Sequence, residues 1–303
     1  MQISVRRWED PIFKGVTFFF AFLILLITLF ITFSLFTYAL PAIWYNGLSF
    51  LWGTTWDPVS EQFGVLPFLY GTLVTSLIAL VIAIPVGLGA SIFMAELSPR
   101  WLSNPISYCV DLLAAIPSVI YGLIGIFVLV PFMREEIEPV ISNTFGFLPI
   151  FESAPYGVGV LTAGLVLGIM VLPFIMSISR EVMVSVPQTQ REAILSLGAT
   201  KWEMISKVII PFSRSGIVGS FFLALARALG ETMAVTMVIG NDPNIHLSLF
   251  EPGHTMAAVI SNEFAEATSN IYLATLIEIG LILFIVSFIV NGIARLLVQG
   301  QTR

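Results

Sequence analysis

Six long apolar stretches dominate this sequence and leave little alternative to a bundle of membrane-crossing helices. A spanning helix needs about 20 mostly apolar residues. The stretches lie at about 16–40, 68–95, 107–132, 157–178, 214–240 and 271–295 once internal Gly and Pro are tolerated. Charge is sparse between and within them: 57% of the 303 residues are hydrophobic and 11% are charged, against about 25% charged in an average soluble domain. The expected fold class is therefore an all-α integral membrane protein with about six transmembrane helices. The first stretch, Val16 to Leu40, follows Arg6, Arg7 and Lys14 and shows no small-x-small cleavage site. It exceeds the roughly 7–15 residues of a signal-peptide core, so it reads as a retained first helix.

The sparse charges set an orientation. With the N-terminus inside, Arg6, Arg7, Lys14, Arg100, Arg180, Arg191, Lys201, Lys207, Arg214, Arg295 and Arg303 fall on the cytoplasmic side. Only Arg134 falls outside, and Arg227 falls within a span. The positive-inside rule expects that asymmetry, which places both termini in the cytoplasm. Acidic residues collect in the outer loops, where they read as solvated faces.

Several function classes drop out. A net charge of −6 with no basic block offers nothing to hold nucleic acid. Cys109 is the single cysteine and reads as a small core residue, so no disulfide framework or cysteine-ligated metal is expected. His246 and His254 share one outer loop without a third ligand nearby and read as solvent-exposed side chains. None of Lys14, Lys201 and Lys207 follows a glycine, so there is no phosphate-cradling P-loop, and no nucleophile–base set can be assembled. No catalytic residue, metal or cofactor is expected, and any ATP hydrolysis must come from a partner chain. Pro85, Pro117, Gly122, Gly125 and Pro173 read as kinks or close-packing points, and Gly164 with Gly168 has the small-x-x-x-small spacing of helix packing.

The segment Ser179 to Phe212 is longer than a plain connection. Pro187 suits a first helical turn, Ala193, Ile194 and Leu197 share a face, and Gly198 offers a left-handed stop. Thr200 and Glu203, in T-K-W-E, form a capping-box pattern that starts a second helix, expected to end near Pro211. The product is a short helix-turn-helix at the cytoplasmic face, able to enter a partner groove or to rest on the membrane surface. The run R-E-A-I-L-S-L-G-A-T-K-W-E-M-I-S-K-V-I-I-P resembles the EAA loop of ABC importer permeases. Glu192, Ala193, Gly198 and Pro211 stand at matching positions, and Ile194, Val208 and Ile210 are apolar departures that keep the spacing. The resemblance implies a coupling helix that docks on an ATPase subunit, with Glu192, Ala193, Gly198, Thr200, Glu203 and Pro211 as its coupling residues.

The fifth span carries Arg227 and Glu231, read as one helical turn apart near its middle. Each charge costs about 2.5–3.5 kcal/mol at a helix centre, so both should face protein or a wet cavity. Arg before Glu by four is the weaker order for an intrahelical pair, which favours a role on a substrate path. A guanidinium fork suits an oxyanion, and a nearby carboxylate that trades partners could lower the affinity for release. Thr232, Thr236 and Asn241 could add neutral hydrogen bonds, although Thr in a membrane helix commonly bonds its own backbone. Asp111 reads as a structural partner, and Glu278 has no assigned role.

The segment R-A-L-G-E-T-M-A-V-T-M-V-I-G-N closely resembles the corresponding helix of PstC-type permease subunits of phosphate-specific ABC importers, and D-L-L-A-A-I-P-S-V-I-Y-G is similar to that family too. The match covers about residues 68–296. It implies a type I ABC importer permease fold and phosphate translocation past Arg227 and Glu231. The partners it implies are a second homologous permease (PstA-type), two cytoplasmic ATPases (PstB-type) and an extracytoplasmic phosphate-binding protein (PstS-type), all in a bacterial inner membrane. The expected organisation is an N-terminal segment with first helix and outer loop at 1–66, a permease core at 67–296 holding the coupling loop at about 187–211, and a cytoplasmic tail at 297–303. A sulfate or molybdate permease and an ion-coupled secondary transporter are the alternatives. A membrane sensor is disfavoured because no soluble signalling domain is present.

Overall fold

In hydrocarbon a backbone N–H or C=O has no water to bond, so each apolar stretch must close its hydrogen bonds within itself, which a helix does. A computed structural model describes residues 9–300; the orientation argument from Arg6, Arg7 and Arg303, and the last residues of the 297–303 tail, lie outside the described residues. Among the described residues ten helices, besides two short 3-10 turns, organise the fold: α1 Glu9–Asn46, α2 Leu66–Leu97, α3 Arg100–Ala115, α4 Ser118–Phe145, α5 Val160–Val184, α6 Gln188–Ser196, α7 Lys201–Leu229, α8 Met233–Val238, α9 Met256–Glu263 and α10 Asn270–Gly300. Six of them, α1, α2, α4, α5, α7 and α10, are long and apolar enough to cross a membrane. Among the described residues the only β pairing is two isolated bridges.

α5 is the central helix and α1 the peripheral one. Along the most apolar window of α5, 61% of the residues are buried, against none along that of α1. The Phe- and Leu-rich flank of α1 faces outward, and only toward its far end do Ala39 and Ala42 bury, where α1 packs on α10. α5 packs most extensively on α2, and small residues make that approach possible. A Cβ on Gly164 would meet the Ile78 side chain at 2.6 Å, and one on Gly87 would meet Ile175 at 2.9 Å. Thr72, Thr75, Ser76, Ala79 and Ala83 complete the buried stripe of α2. Without a hydrophobic drive between helices in lipid, close backbone packing of this kind is the main source of association.

Two expected spans are drawn differently by the backbone. The third does not run continuously from 107: Ile116 and Pro117 are extended, with ψ of 130° and 141°, which ends α3 and starts α4 at Ser118. The residue before a proline is pushed out of the helical region, and that local rule prevails over the continuous apolar pattern. Tyr121 ties the break by donating its hydroxyl to the Leu113 carbonyl at 2.8 Å. Cys109 consequently lies exposed on α3 rather than in the core.

The second hairpin helix and the fifth span are one continuous helix, α7, so the expected stop near Pro211 is not there. Residues Ile205–Ile209 adopt a π-helical turn immediately before it. That wider turn absorbs the amide hydrogen bond proline cannot donate. α7 stops instead at Leu229, and the chain restarts as α8 at Met233.

The loop after α8 folds back over the start of α5. Val160 and Leu161 donate their amides to Glu251 and Leu249 carbonyls at 3.2 and 2.8 Å, satisfying first-turn donors that no helix satisfies internally. His254 is buried at 3% exposure, contrary to its expected solvation, with its ring edge-on to Phe68 and its backbone pressed on Gly71. Removing its ring from water holds the imidazole pKa down at about 4.

Candidate functional site

The hairpin formed by α6 and α7 is built almost as its residues require. Gly198 takes φ +83°, a conformation costly for a side-chain-bearing residue, with nothing within 4 Å of the place a Cβ would occupy. Thr200 Oγ1 accepts from the Glu203 amide at 3.2 Å, and Glu203 Oε2 accepts from the Thr200 amide at 3.0 Å. The capping box is thus closed in both directions. Lys207 pairs with the other Glu203 oxygen at 2.9 Å.

The root of the hairpin is buried. Met183, Val186, Met204, Ile205, Ile209 and Ile217 form one cluster, with Ile194 of α6 and Leu88 and Ile92 of α2 against it. Arg191 of α6 forms an ion pair with Glu96 at the end of α2 at 2.7 Å. Its Nη2 donates to the Met183 carbonyl at 2.7 Å and its Nε to Val186 at 3.3 Å, covering the end of α5. Nothing local in the sequence marks this pair, because the two residues stand far apart in the chain. The tip is the opposite in character. Leu197 is 87% and Trp202 65% exposed, and Glu192, Ala193 and Leu195 are exposed beside them. Pro211 lies away from this tip on the exposed side of α7.

α7 carries the hairpin's position into the bundle as a rod of about 43 Å at 1.5 Å per residue. It is fixed along α5 by close approach: Ser179 and Ser220 hydroxyls meet at 3.0 Å, and a Cβ on Gly216 would strike Val182 at 2.6 Å. Arg227 sits in its last turn, about 20 Å along the axis from Arg214, well inside a core of roughly 30 Å.

Arg227 and Glu231 are not one turn apart on a single helix, as expected from the sequence, because Gly230, Glu231 and Thr232 lie in the break. The guanidinium of Arg227 lies 4.3 Å from the centre of the Phe174 ring on α5. Its Nε is buried with no hydrogen-bond partner, and no ion pair involves it among the described residues. Glu231 accepts from the Ala234 amide at 3.3 Å and so caps α8, where a carboxylate meets free N–H groups and the positive end of the short helix. Thr236 returns its hydroxyl to the Thr232 carbonyl at 2.7 Å, and Asn241, at φ +56°, donates to the Thr236 carbonyl at 3.1 Å. Thr232 makes a long contact to the Gly230 carbonyl at 3.4 Å. The three neutral residues therefore serve the backbone around the break, while Arg227 alone retains unused donors.

α8 packs on α4 through glycines. A Cβ on Gly122 would meet Met237 Sδ at 2.6 Å, and one on Gly125 would meet Val238 at 2.7 Å. Tyr121 and Phe174, which flank this region, carried no sequence signal of function. Gly230 did carry one, because a glycine after an apolar helical run is a common stop. An unwound segment at membrane depth survives only when buried in protein or lining a water-filled cavity. Here the unwound segment lies directly after the last turn of α7, which carries the unpaired guanidinium.

Among known proteins, the family described as "Binding-protein-dependent transport system inner membrane component" matches residues 87–303. The chain is 46% identical to the phosphate transport system permease protein PstC of Mesorhizobium japonicum, covering 96% of this chain and 91% of that protein. It is likewise 46% identical to PstC of Haemophilus influenzae, over 97% and 94% respectively. Among solved structures, a bacterial alginate ABC transporter chain superposes with a TM-score of 0.61 over 95% of this chain and 96% of that one, at 14% identity. That likeness shows the fold, the type I ABC importer permease fold, in a chain of very different sequence.

Proposed function

This chain belongs to the binding-protein-dependent inner membrane transport components and, within them, to the PstC phosphate permeases; it is a multi-pass inner-membrane permease subunit of a phosphate ABC importer, and we propose that phosphate passes it at the break between α7 and α8. The observation that carries the reading is Arg227, a cation in the last turn of α7, held against Phe174 with its donors unspent beside an interrupted helix. A guanidinium offers phosphate a planar pair of N–H donors. Glu231 moves between capping α8 and facing Arg227, which loosens the anion for release. Thr232, Thr236 and Asn241 shape the backbone of that passage.

The permease core at 67–296 hydrolyses nothing itself. Its hairpin, with Glu192, Ala193, Gly198, Thr200 and Glu203, docks in a groove on a cytoplasmic ATPase through Leu197 and Trp202, and Pro211 sits where that motion enters α7. Both termini and the hairpin are cytoplasmic. The full importer contains a second, PstA-type permease, two PstB-type ATPases and an extracytoplasmic PstS-type phosphate-binding protein. Closure of the ATPases pulls the hairpin, and α7 delivers the displacement to Arg227 as a rigid rod.

The test is ATP-dependent uptake of radiolabelled phosphate by vesicles containing the assembled importer, with sulfate and molybdate as competitors. Uptake that resists both is expected. Uptake blocked by either one would keep the importer and overturn the cargo. Transport by the chain alone under an ion gradient would overturn the importer mechanism.

A further inference from the structure

A cavity of about 420 Å³ opens at the hairpin end of the bundle, far from the Arg227 break. It lies where the end of α2, the start of α3, the end of α5 and the start of α6 converge. We propose that it is a second oxyanion site, taking a phosphate-type anion on the hairpin side of the membrane through Arg100 and Arg180. The inference rests on the orientation given above only for the identity of that side.

The charges facing the cavity are unevenly used. Arg191 is spent, through its ion pair with Glu96 and its two bonds to the end of α5. Arg180 has no ion pair among the described residues, and its Nε is buried without a partner. Ser98 is a second buried donor with an unpartnered oxygen at the same cavity. Arg100 lines the cavity from the first turn of α3. That turn also leaves free amide donors, since no side chain caps it. Asn104 and Gln188 complete the polar wall. On the far side of Arg180 stand two acids, Asp111, already bonded to Ser177 at 2.8 Å, and Glu181, and neither forms an ion pair with the guanidinium among the described residues.

A partly buried guanidinium at Arg180, a second, exposed one at Arg100, an unpartnered buried hydroxyl oxygen on Ser98 and free amides around one void make an environment short of an anion. A buried cation left unpaired is costly, so such sites are completed by a ligand. Phosphate fits through several acceptor oxygens and the forked donors of arginine. Because the cavity is walled by both α3 and the root of α6, a bound anion ties the hairpin to the rest of the bundle. Accumulated phosphate inside the cell would then restrain the element that receives the ATPase stroke.

The experiment is equilibrium dialysis of radiolabelled inorganic phosphate against the full chain in phosphatidylcholine nanodiscs, with Arg227→Gln present throughout so that the transport path does not contribute. Saturable binding is expected, weakened on the order of tenfold or more by Arg180→Gln and also by Arg100→Gln, whose exposed position leaves folding untouched. Adding phosphatidylglycerol identifies the resident source. If a lipid headgroup occupies the site, the apparent affinity for free phosphate falls in the chain with Arg180 intact. If it is unchanged, free phosphate is the ligand. Absence of saturable binding in both lipids, or binding indifferent to both arginine substitutions, overturns the proposal. Binding lost through Arg100 and Arg180 while uptake fails to depend on Arg227 would instead overturn the transport path and leave this site standing.

Discussion

Arg191 and Arg227 are both arginines held between helices, yet their surroundings differ in kind. Arg191 spends all three of its nitrogens, on Glu96, Met183 and Val186. Arg227 leans on a ring and leaves its Nε unmet. A satisfied guanidinium fixes geometry, and removing it leaves a buried carboxylate alone. An unsatisfied guanidinium fixes little and is available for a ligand. The hairpin root should therefore answer substitution in stability, and the helix break in transport.

The largest stability effect expected is at the root. Arg191→Ala strands Glu96 and should cost about 3–5 kcal/mol, the usual price of breaking one side of a buried pair. Thermal unfolding of the chain in detergent reads this as a clear fall in midpoint, and Glu96→Leu combined with Arg191→Met should recover most of it. A midpoint unmoved by Arg191→Ala would erase the contrast.

At the opposite end of the bundle, His254 supplies a satisfied-neutral counterpart with a pH signature. Its folded pKa of about 4 lies below the ordinary 6.5. The unfolded chain therefore binds the extra proton first, and the stabilisation, complete above pH 6.5, is lost as pH falls toward 4. The full loss is about 3 kcal/mol, at roughly 1.4 kcal/mol per pH unit. Unfolding midpoints measured from pH 7.5 to 4.5 should fall along that window, and His254→Gln should flatten the fall.

Smaller effects belong to the hairpin turn. Gly198→Ala places a Cβ at φ +83° and should cost about 1–2 kcal/mol. Thr200→Ala removes one half of the capping box and should cost about 1 kcal/mol. Both should also weaken co-purification of the ATPase, measured by pull-down, because the turn sets how Leu197 and Trp202 are presented. Normal ATPase capture with either substitution would separate the turn from docking.

The sequence made the hairpin legible because its signals are local: a glycine that must be left-handed, and a Thr and Glu three residues apart. Six apolar lengths were legible for the same reason, since hydrocarbon thickness sets them directly. What escaped were features that local rules oppose or that join distant segments. Pro211 reads as a stop, yet a π-turn carries the helix through it. Pro117 reads as a kink or packing point, and the apolar run around it hides that the helix breaks outright at Ile116. Arg227 and Glu231 look like an i, i+4 pair only if Gly230 is read as helical. Glu96 with Arg191, and Phe174 with Arg227, are contacts between helices, invisible to any window along the chain. His254 was misread because an outer loop is ordinarily solvated, whereas this one covers the start of α5.

The most direct test sets transport beside stability for Arg227→Gln in the assembled importer, measuring ATP-driven phosphate uptake and the unfolding midpoint on the same preparation. The account predicts uptake reduced on the order of tenfold to hundredfold, with the midpoint shifted by no more than the roughly 0.5–2 kcal/mol of the lost ring contact. Wild-type uptake by a normally assembled Arg227→Gln importer would contradict it.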